Sequence, residues 1–549
     1  MLLTLRSSVA FVSSLRSRFE GSLIRPRRIV PCGGGLAAAL IALWIPLAVW
    51  AEPGGRALYD EHCASCHGES RLGGTGPALL PQTLTRLDRG EAADVIRRGR
   101  PATQMPGFGE RLEGDALEVL VDFIYASPAR PPRWGLAAIR QSRVVHHPPD
   151  TLADRPVFEA DPLNLFVVVE KGDHHATILD GDRFEPIHRF ATRPDLHGGP
   201  KYSPDGRYVY FGSRGGWVSK FDLYNLETVA EARAGINTRN IAVSDDGRLV
   251  LVGNYLPRTL VLLSAADLAP VAVLPVRGRE GESSRVSAVY TAAPRGSFVV
   301  ALKDIKEVWE IPYRGVGDPL PVHRGPMHEY RASHASPRPT AGDWGIRRIE
   351  TDDYLDDFFF GPRYRYLVGA SREGGAQVLN LDAGRVVAHL DLPGFPHLGS
   401  GITWRHEGRP VLATPNLKEG ALSVIDMERW KVIKRIETAG PGFFLRSHEN
   451  TPYAWADVFF GPNRDAVHVI DKRSLEIVKT LRPAPGKVAA HVEFTRDGRY
   501  ALLSIWDRDG ALVVYDARSL EEVKRIPMSK PSGKYNVYNK IHLSPGTSH

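Results

Sequence analysis

The chain has 549 residues, 43% apolar and 24% charged, with a formal net charge of +7 at pH 7. At about 150 residues per domain it is too long for one ordinary domain, unless a repeat fold breaks that rule. The positive balance does not mark a nucleic-acid binder: five of the seven net charges lie before Ala51, and no basic run interleaved with aromatics follows.

Residues 1–51 read as an export signal. Six arginines and one acid are followed by an apolar run over 36–50, ending in Val49-Trp50-Ala51 before Glu52-Pro53. The run is shorter than the ~20 residues of a spanning helix, so cleavage after Ala51 and a periplasmic location are expected, with an uncleaved anchor as the alternative. Arg27-Arg28 is a weak twin-arginine signal. Cys32 would leave with the leader, and an exported chain would keep Cys63 and Cys66 alone. An oxidising compartment is then harmless.

Those two cysteines lie in Cys63-Ala64-Ser65-Cys66-His67. Two thiols two residues apart, followed at once by histidine, form the pattern of covalent c-type haem attachment. Each thiol adds to one vinyl group, and His67 becomes the proximal iron ligand, leaving the opposite axial position to a downstream residue. Met105 is the candidate, because Pro106 and Gly107 impose an extended loop that can carry a thioether over the ring; His62 is the alternative. Helical spacing over 55–66, 91–100 and 115–125 is enough for a small all-α cytochrome c domain. Ser127-Pro128-Ala129-Arg130-Pro131-Pro132-Arg133 breaks that pattern, which assigns the cytochrome c domain to residues 52–133.

Residues 134–549 carry a different texture, short β-forming runs between glycine, aspartate and proline turns. Ser203-Pro204-Asp205-Gly206-Arg207-Tyr208 leads into Val209-Tyr210-Phe211-Gly212, and Ser244-Asp245-Asp246-Gly247-Arg248-Leu249 leads into Val250-Leu251-Val252-Gly253, 41 residues further on. Similar shapes recur at 360–379, 406–426, 451–471 and 495–516. A pitch of about 40–50 residues is that of four-stranded propeller blades. With further units at 163–190 and near 295–312, the spacing predicts an all-β eight-bladed propeller. One blade alone cannot bury both faces, whereas a closed ring does. A two-sheet sandwich is the alternative. Residues 326–353 do not fit a blade and read as an inserted loop.

The propeller region has no cysteine, so its histidines are the natural iron ligands. His197, His397, His448 and His491 stand in turn contexts, and glycines beside the first two leave room for a flat ring. The order of parts resembles the cytochrome cd nitrite reductase family, whose propeller binds haem d1. The resemblance is carried by His197 ahead of the turn 202–208, by Pro396-His397-Leu398-Gly399, and by the closing Gly533-Lys534-Tyr535-Asn536-Val537-Tyr538-Asn539. The last residues, from Lys534 through Gly546-Thr547-Ser548-His549, are more similar to the dihydro-haem d1 dehydrogenase branch of that family. Its members are monomeric periplasmic enzymes of the last step of haem d1 biosynthesis.

The resemblance implies a non-covalent haem d1 or dihydro-haem d1 in the propeller besides the covalent haem c. It makes His197 the proximal iron ligand, His397 the distal ligand on a mobile loop, and His491 and Tyr535 the pair beside the propionate that is oxidised. Lys201 and Arg214, near the proximal loop, are candidate partners for the macrocycle carboxylates. The reductases would place a second distal histidine near Leu355-Asp356-Asp357-Phe358, where this sequence has none. The expected reaction turns a propionate of dihydro-haem d1 into an acrylate. Tyr535 would be the base or hydrogen acceptor, given a lowered pKa or a coupled electron loss, with His491 assisting. Electrons would leave through the c haem to a soluble periplasmic acceptor, and the product would pass to nitrite reductase. Nitrite reduction to NO and non-catalytic carriage of haem d1 are the competing readings.

Overall fold

The computed structural model describes residues 54–547, apart from 86, 101–104, 113, 315–343, 372–373 and 544. The expected export signal lies outside the described residues. No helix among the described residues is long and apolar enough to cross a membrane.

Four helices, α1 (Gly55–His62), α2 (Ala64–His67), α3 (Arg89–Arg98) and α4 (Asp115–Tyr125), form the haem-attachment region. Asp88 and Glu91 start α3 with a reciprocal capping box: the Asp88 carboxylate accepts from Glu91 N at 2.7 Å, and Glu91 accepts from Asp88 N at 3.1 Å. Leu117, Leu120, Val121 and Ile124 of α4 pack on Leu58 and Tyr59 of α1 and on Ile96 of α3. Arg71 closes the C-terminal end of α4, donating to Ile124 O at 3.1 Å and to Ala126 O at 3.0 Å. Residues 127–133 have no regular structure. They lead into α5 (Leu136–Ser142) and the short strand Val144–Val145, which pairs with the edge of a blade at Ala230 and Glu231. These two elements precede the first blade and add no blade of their own.

The rest is a ring of eight antiparallel sheets, each of four strands apart from the one that Val144–Val145 extends. Numbered by their first strand after Val144–Val145, blades I to VIII run in sequence order. Blade I is completed by the end of the chain: Pro531–Asn536 lies beside Leu165–Glu170, with Tyr535 opposite Val167 and Lys534 opposite Val168. Leu165–Glu170, in the middle of its blade, is buried along its whole length, while outer strands such as Lys431–Glu437 expose almost every residue. The recurring Asp-Gly-Arg turns have a common cause. In one, Asp246 accepts from Ser244 Oγ at 2.6 Å and from Arg248 N at 3.1 Å, with Gly247 at φ +69°; in another, Asp497 accepts from Thr495 Oγ1 at 2.7 Å and from Arg499 N at 3.0 Å. The aspartate folds the chain onto itself, and the next position takes the left-handed conformation that favours glycine.

One expectation is corrected. Within the stretch 326–353, read as an inserted loop, Arg347–Glu350 is the outermost strand of blade IV, pairing Arg347 with Glu310 and Ile349 with Val308. At four residues, with one apolar side chain, this edge strand shows no alternation that a period-two reading could detect.

Asn536 sits at the joint of the ring. Fully buried, it donates to Asn164 Oδ1 at 3.1 Å and accepts from Asn539 N at 3.2 Å, capping the terminal helix α6 (Val537–His542). Asn164 in turn accepts from Arg496 N of blade VIII at 2.9 Å. Asn536→Ala strands these partners and is expected to cost about 1–3 kcal/mol. A lowered midpoint in thermal unfolding followed by circular dichroism checks this.

Candidate functional site

A hollow of ≈ 1150 Å³, counted to its open mouth, is lined by residues from all eight blades. Its wall includes His197 from blade II, His397 from blade VI, His491 from blade VIII and Tyr535 from the closing strand of blade I. Four residues separated by up to 338 positions thus share one cavity.

The histidines are oriented by their backbone surroundings. His197 Nδ1 lies 2.7 Å from Arg239 O and His397 Nδ1 lies 2.8 Å from Phe443 O. A carbonyl only accepts, so Nδ1 carries the proton in both rings and Nε2 keeps its lone pair. His197 Nε2 accepts from Arg214 Nη2 at 2.9 Å and from Arg239 Nη1 at 3.1 Å. Burial, then those two guanidiniums, hold this ring well below the usual imidazole range. Burial also lowers His397, against the pull of Asp357, whose carboxylate is 4.0 Å from His397 Nε2. Asp357 pins the His397 loop by accepting from Gly399 N at 3.0 Å, and it accepts from the Tyr290 hydroxyl at 3.0 Å.

His491 and Tyr535 meet edge to face, with ring centres 5.0 Å apart. His491 is the extra residue of a bulge between Ala490 and Val492 and takes φ +57°, a strained conformation for a side chain of this size. Its backbone is tied on both sides: N donates to Asp457 at 3.2 Å, and O accepts from Lys534 Nζ. Both ring nitrogens are buried and lack a hydrogen-bond partner among the described residues. Burial, reinforced by Lys534 and Arg446, keeps the ring neutral. Tyr535 is pushed up to about 12 by burial, with Arg446 acting the other way. This direction runs against the lowered phenol pKa that one version of the expected chemistry requires.

Arg214 reaches His197 without lining the cavity. Lys201 does not line it either: its ammonium sits 5.6 Å from the Tyr290 ring centre and is pushed down to about 8 by burial, against Asp357. Arg239, Tyr290, Asp357 and Arg446, all in the wall, went unnoticed as site residues in the sequence. They stand within or at the start of inner strands, where period two predicts only a buried or exposed side, so no sequence signal set them apart.

In the helical region neither Cys63, buried, nor Cys66, exposed, forms a disulfide. His67 Nδ1 donates to Pro77 O at 2.7 Å, which again leaves Nε2 with its lone pair. A side chain at Gly76 would place Cβ 2.7 Å from this ring, so only glycine admits it. Met105 packs against the apolar cluster that holds Cys63, while His62 lies 5.9 Å from the Phe108 ring centre.

Comparison with known proteins places this geometry. Residues 160–331 and 341–540 match the cytochrome D1 heme domain family, and residues 51–124 match the cytochrome C oxidase, cbb3-type, subunit III family. The chain is 60% identical over 513 residues to the dihydro-heme d1 dehydrogenase of Pseudomonas aeruginosa, covering 93% of this chain and 99% of the relative. The chain belongs to the dihydro-haem d1 dehydrogenase family. A solved structure of dihydro-heme d1 dehydrogenase NirN in complex with DHE superposes with a TM-score of 0.81 at 60% identity, over 89% of this chain and 99% of that one. The nitrite reductase of Stutzerimonas stutzeri is 24% identical over 575 residues, covering 93% of this chain and 98% of that protein. The residues of this family member fit two iron macrocycles: paired thiols and an Nε2 lone pair in the helical region, and two Nδ1-protonated histidines with an unpartnered imidazole lining one hollow in the propeller.

The buried imidazoles carry a pH dependence. In the protein without added macrocycle, His197, His397 and His491, with His448 and His468 elsewhere, are held neutral, whereas the unfolded chain takes up their protons near 6.5. Their stabilisation is present above pH 6.5 and lost as the pH falls below it. Asp457, pushed up to about 6 from 3.8, works in the opposite sense but is one group against these five and His67, which burial also lowers. The thermal midpoint should fall as pH is lowered from 6.5 to about 5, read by differential scanning calorimetry.

Proposed function

We propose that the chain is the periplasmic oxidoreductase that completes haem d1, converting a propionate of dihydro-haem d1 to an acrylate. The observation that carries this reading is the His491–Tyr535 pair, 5.0 Å apart in the same hollow as the His197 and His397 nitrogens. In the reaction two C–H bonds of a CH2–CH2 unit break, a C=C bond forms, and two protons and two electrons leave. His197 and His397 hold the substrate by its iron. His491, neutral and without a competing partner, accepts a proton through a ring nitrogen. Tyr535, protonated at neutral pH, donates to the carboxylate and orients the side chain, and the second proton leaves to solvent as the electrons depart. Arg446 and Arg239 supply cationic partners for the substrate carboxylates.

Cys63, Cys66 and His67, with Met105, would hold a covalent haem, which would supply a one-electron outlet. The electrons pass on to a soluble one-electron acceptor. We further propose that the protein acts as a monomer and hands its product to nitrite reductase. A nitrite-reducing role has less support, since the stretch 355–358, where the reductases would place a second distal histidine, has none and gives the hollow a carboxylate, Asp357.

Tyr535→Phe and His491→Ala should each bind dihydro-haem d1 yet form acrylate at least about 10²-fold more slowly. Mass spectrometry of the extracted macrocycle, which loses two hydrogens on conversion, reads this directly. Unchanged conversion in either variant removes that residue from the mechanism. His197→Ala should instead abolish tight binding, visible as loss of the bound-macrocycle absorbance.

A further inference from the structure

Arg233 ends the outermost strand of blade II, Glu227–Arg233, and is buried to 8% exposure. Its side chain serves two places at once. Nε donates to Gly215 O at 2.8 Å, Nη2 donates to Leu72 O, and the guanidinium lies 4.7 Å from the Trp134 ring centre. Its backbone is held as well: N donates to Ser142 Oγ at 2.9 Å and O accepts from Trp134 Nε1 at 2.7 Å. Among the described residues no carboxylate pairs with it, and burial pushes the guanidinium down to about 10. A cation drawn out of water with carbonyl and aromatic partners alone is a costly device, so stability by itself does not account for it.

The two carbonyls belong to the two redox halves. Leu72 follows Arg71, which is bonded to the end of α4, and lies in the loop that continues to Pro77, the hydrogen-bond acceptor of His67. Ala78 and Leu80 of the same loop bury against Ile236, with Trp134 and Leu256 around them. Gly215 follows Arg214, whose guanidinium is 2.9 Å from His197 Nε2 and whose carbonyl accepts from Thr238 N at 3.1 Å. One guanidinium thus joins the loop that orients His67 to the turn that bears on His197.

We infer that Arg233 is a positioning residue for electron transfer, clamping the haem-attachment loop against the His197 side of the propeller. It acts through Leu72 and Gly215 and takes no part in the C–H chemistry. The inference rests on the proposed function, in which single electrons pass from the propeller-bound substrate to ferric haem c, reducing it, and then to a soluble one-electron acceptor. Without the clamp the halves lose a bond that ties the haem-attachment loop to the His197 side, leaving the linker 127–133 and the apolar contact around Ile236 to hold the path between them less firmly.

The test uses full-length protein with its covalent haem, as wild type, Arg233→Ala and Arg233→Lys. Each is mixed anaerobically with dihydro-haem d1 while haem c absorbance is followed, and each is separately digested with trypsin, whose site after Arg133 adjoins Trp134. Arg233→Ala should bind the macrocycle within about threefold of wild type, reduce haem c about 10–100-fold more slowly, and be cut faster at Arg133. Arg233→Lys keeps the charge but not the fork that reaches two carbonyls, and should fall between. Wild-type reduction rates with unchanged cleavage in both variants overturn the inference. So does a loss of macrocycle binding that matches the loss of rate, because Arg233 would then serve the propeller's own fold. If the wild type binds the macrocycle and leaves haem c oxidised, the proposed function fails, and the cleavage rates still decide whether Arg233 is a clamp.

Discussion

The pairing of Pro531–Asn536 with Leu165–Glu170 is the constraint on which the rest of the molecule depends. A propeller blade cannot cover both of its faces, so the ring is stable only when its last strand joins its first. That same strand carries Tyr535 into the hollow and Lys534 to the carbonyl of His491. Closure of the fold and completion of the site are therefore one event. A chain that failed to close would lose a blade and its phenol together.

The histidines proposed as iron ligands use one device in two unrelated folds. His67 in a helical region and His197 and His397 in a propeller each give the Nδ1 proton to a backbone carbonyl, from Pro77, Arg239 and Phe443 respectively. Main-chain acceptors fix the tautomer without adding charge and burial disfavours the protonated rings, which leaves Nε2 as the ligating atom; at His197 a metal would displace the Arg214 and Arg239 hydrogen bonds. His491 departs from this rule. Its backbone is anchored and its ring is not, which suits a group that exchanges a proton and does not hold an ion.

Much of this was legible in the sequence, and the remainder was hidden for physical reasons. The Cys63 to His67 spacing, the Asp-Gly-Arg turns and the histidines beside glycines are local patterns, and local chemistry explains them. His491 could be named from resemblance, but its bulge at positive φ could not, because an inserted residue looks like any other until its partner strand is known. Asp357 and Tyr290 were passed over because each lies on an inner strand and gains its role from a contact 67 residues away. The outer strand Arg347–Glu350 reads as loop because four residues with one apolar side chain have little pattern to show. Arg233 gives no local sign at all: its partners come from a haem loop, a linker and a neighbouring turn that only the assembled ring brings together.

The central claim is that the macrocycle in the propeller loses two electrons, which leave singly through the covalent haem. An anaerobic titration of excess oxidised protein with dihydro-haem d1, with no external acceptor, tests it most directly by counting haem c reduced against acrylate formed. The account predicts two haem c groups reduced for each macrocycle converted. Acrylate formed while haem c stays oxidised, or a bound macrocycle that is never converted, would contradict it.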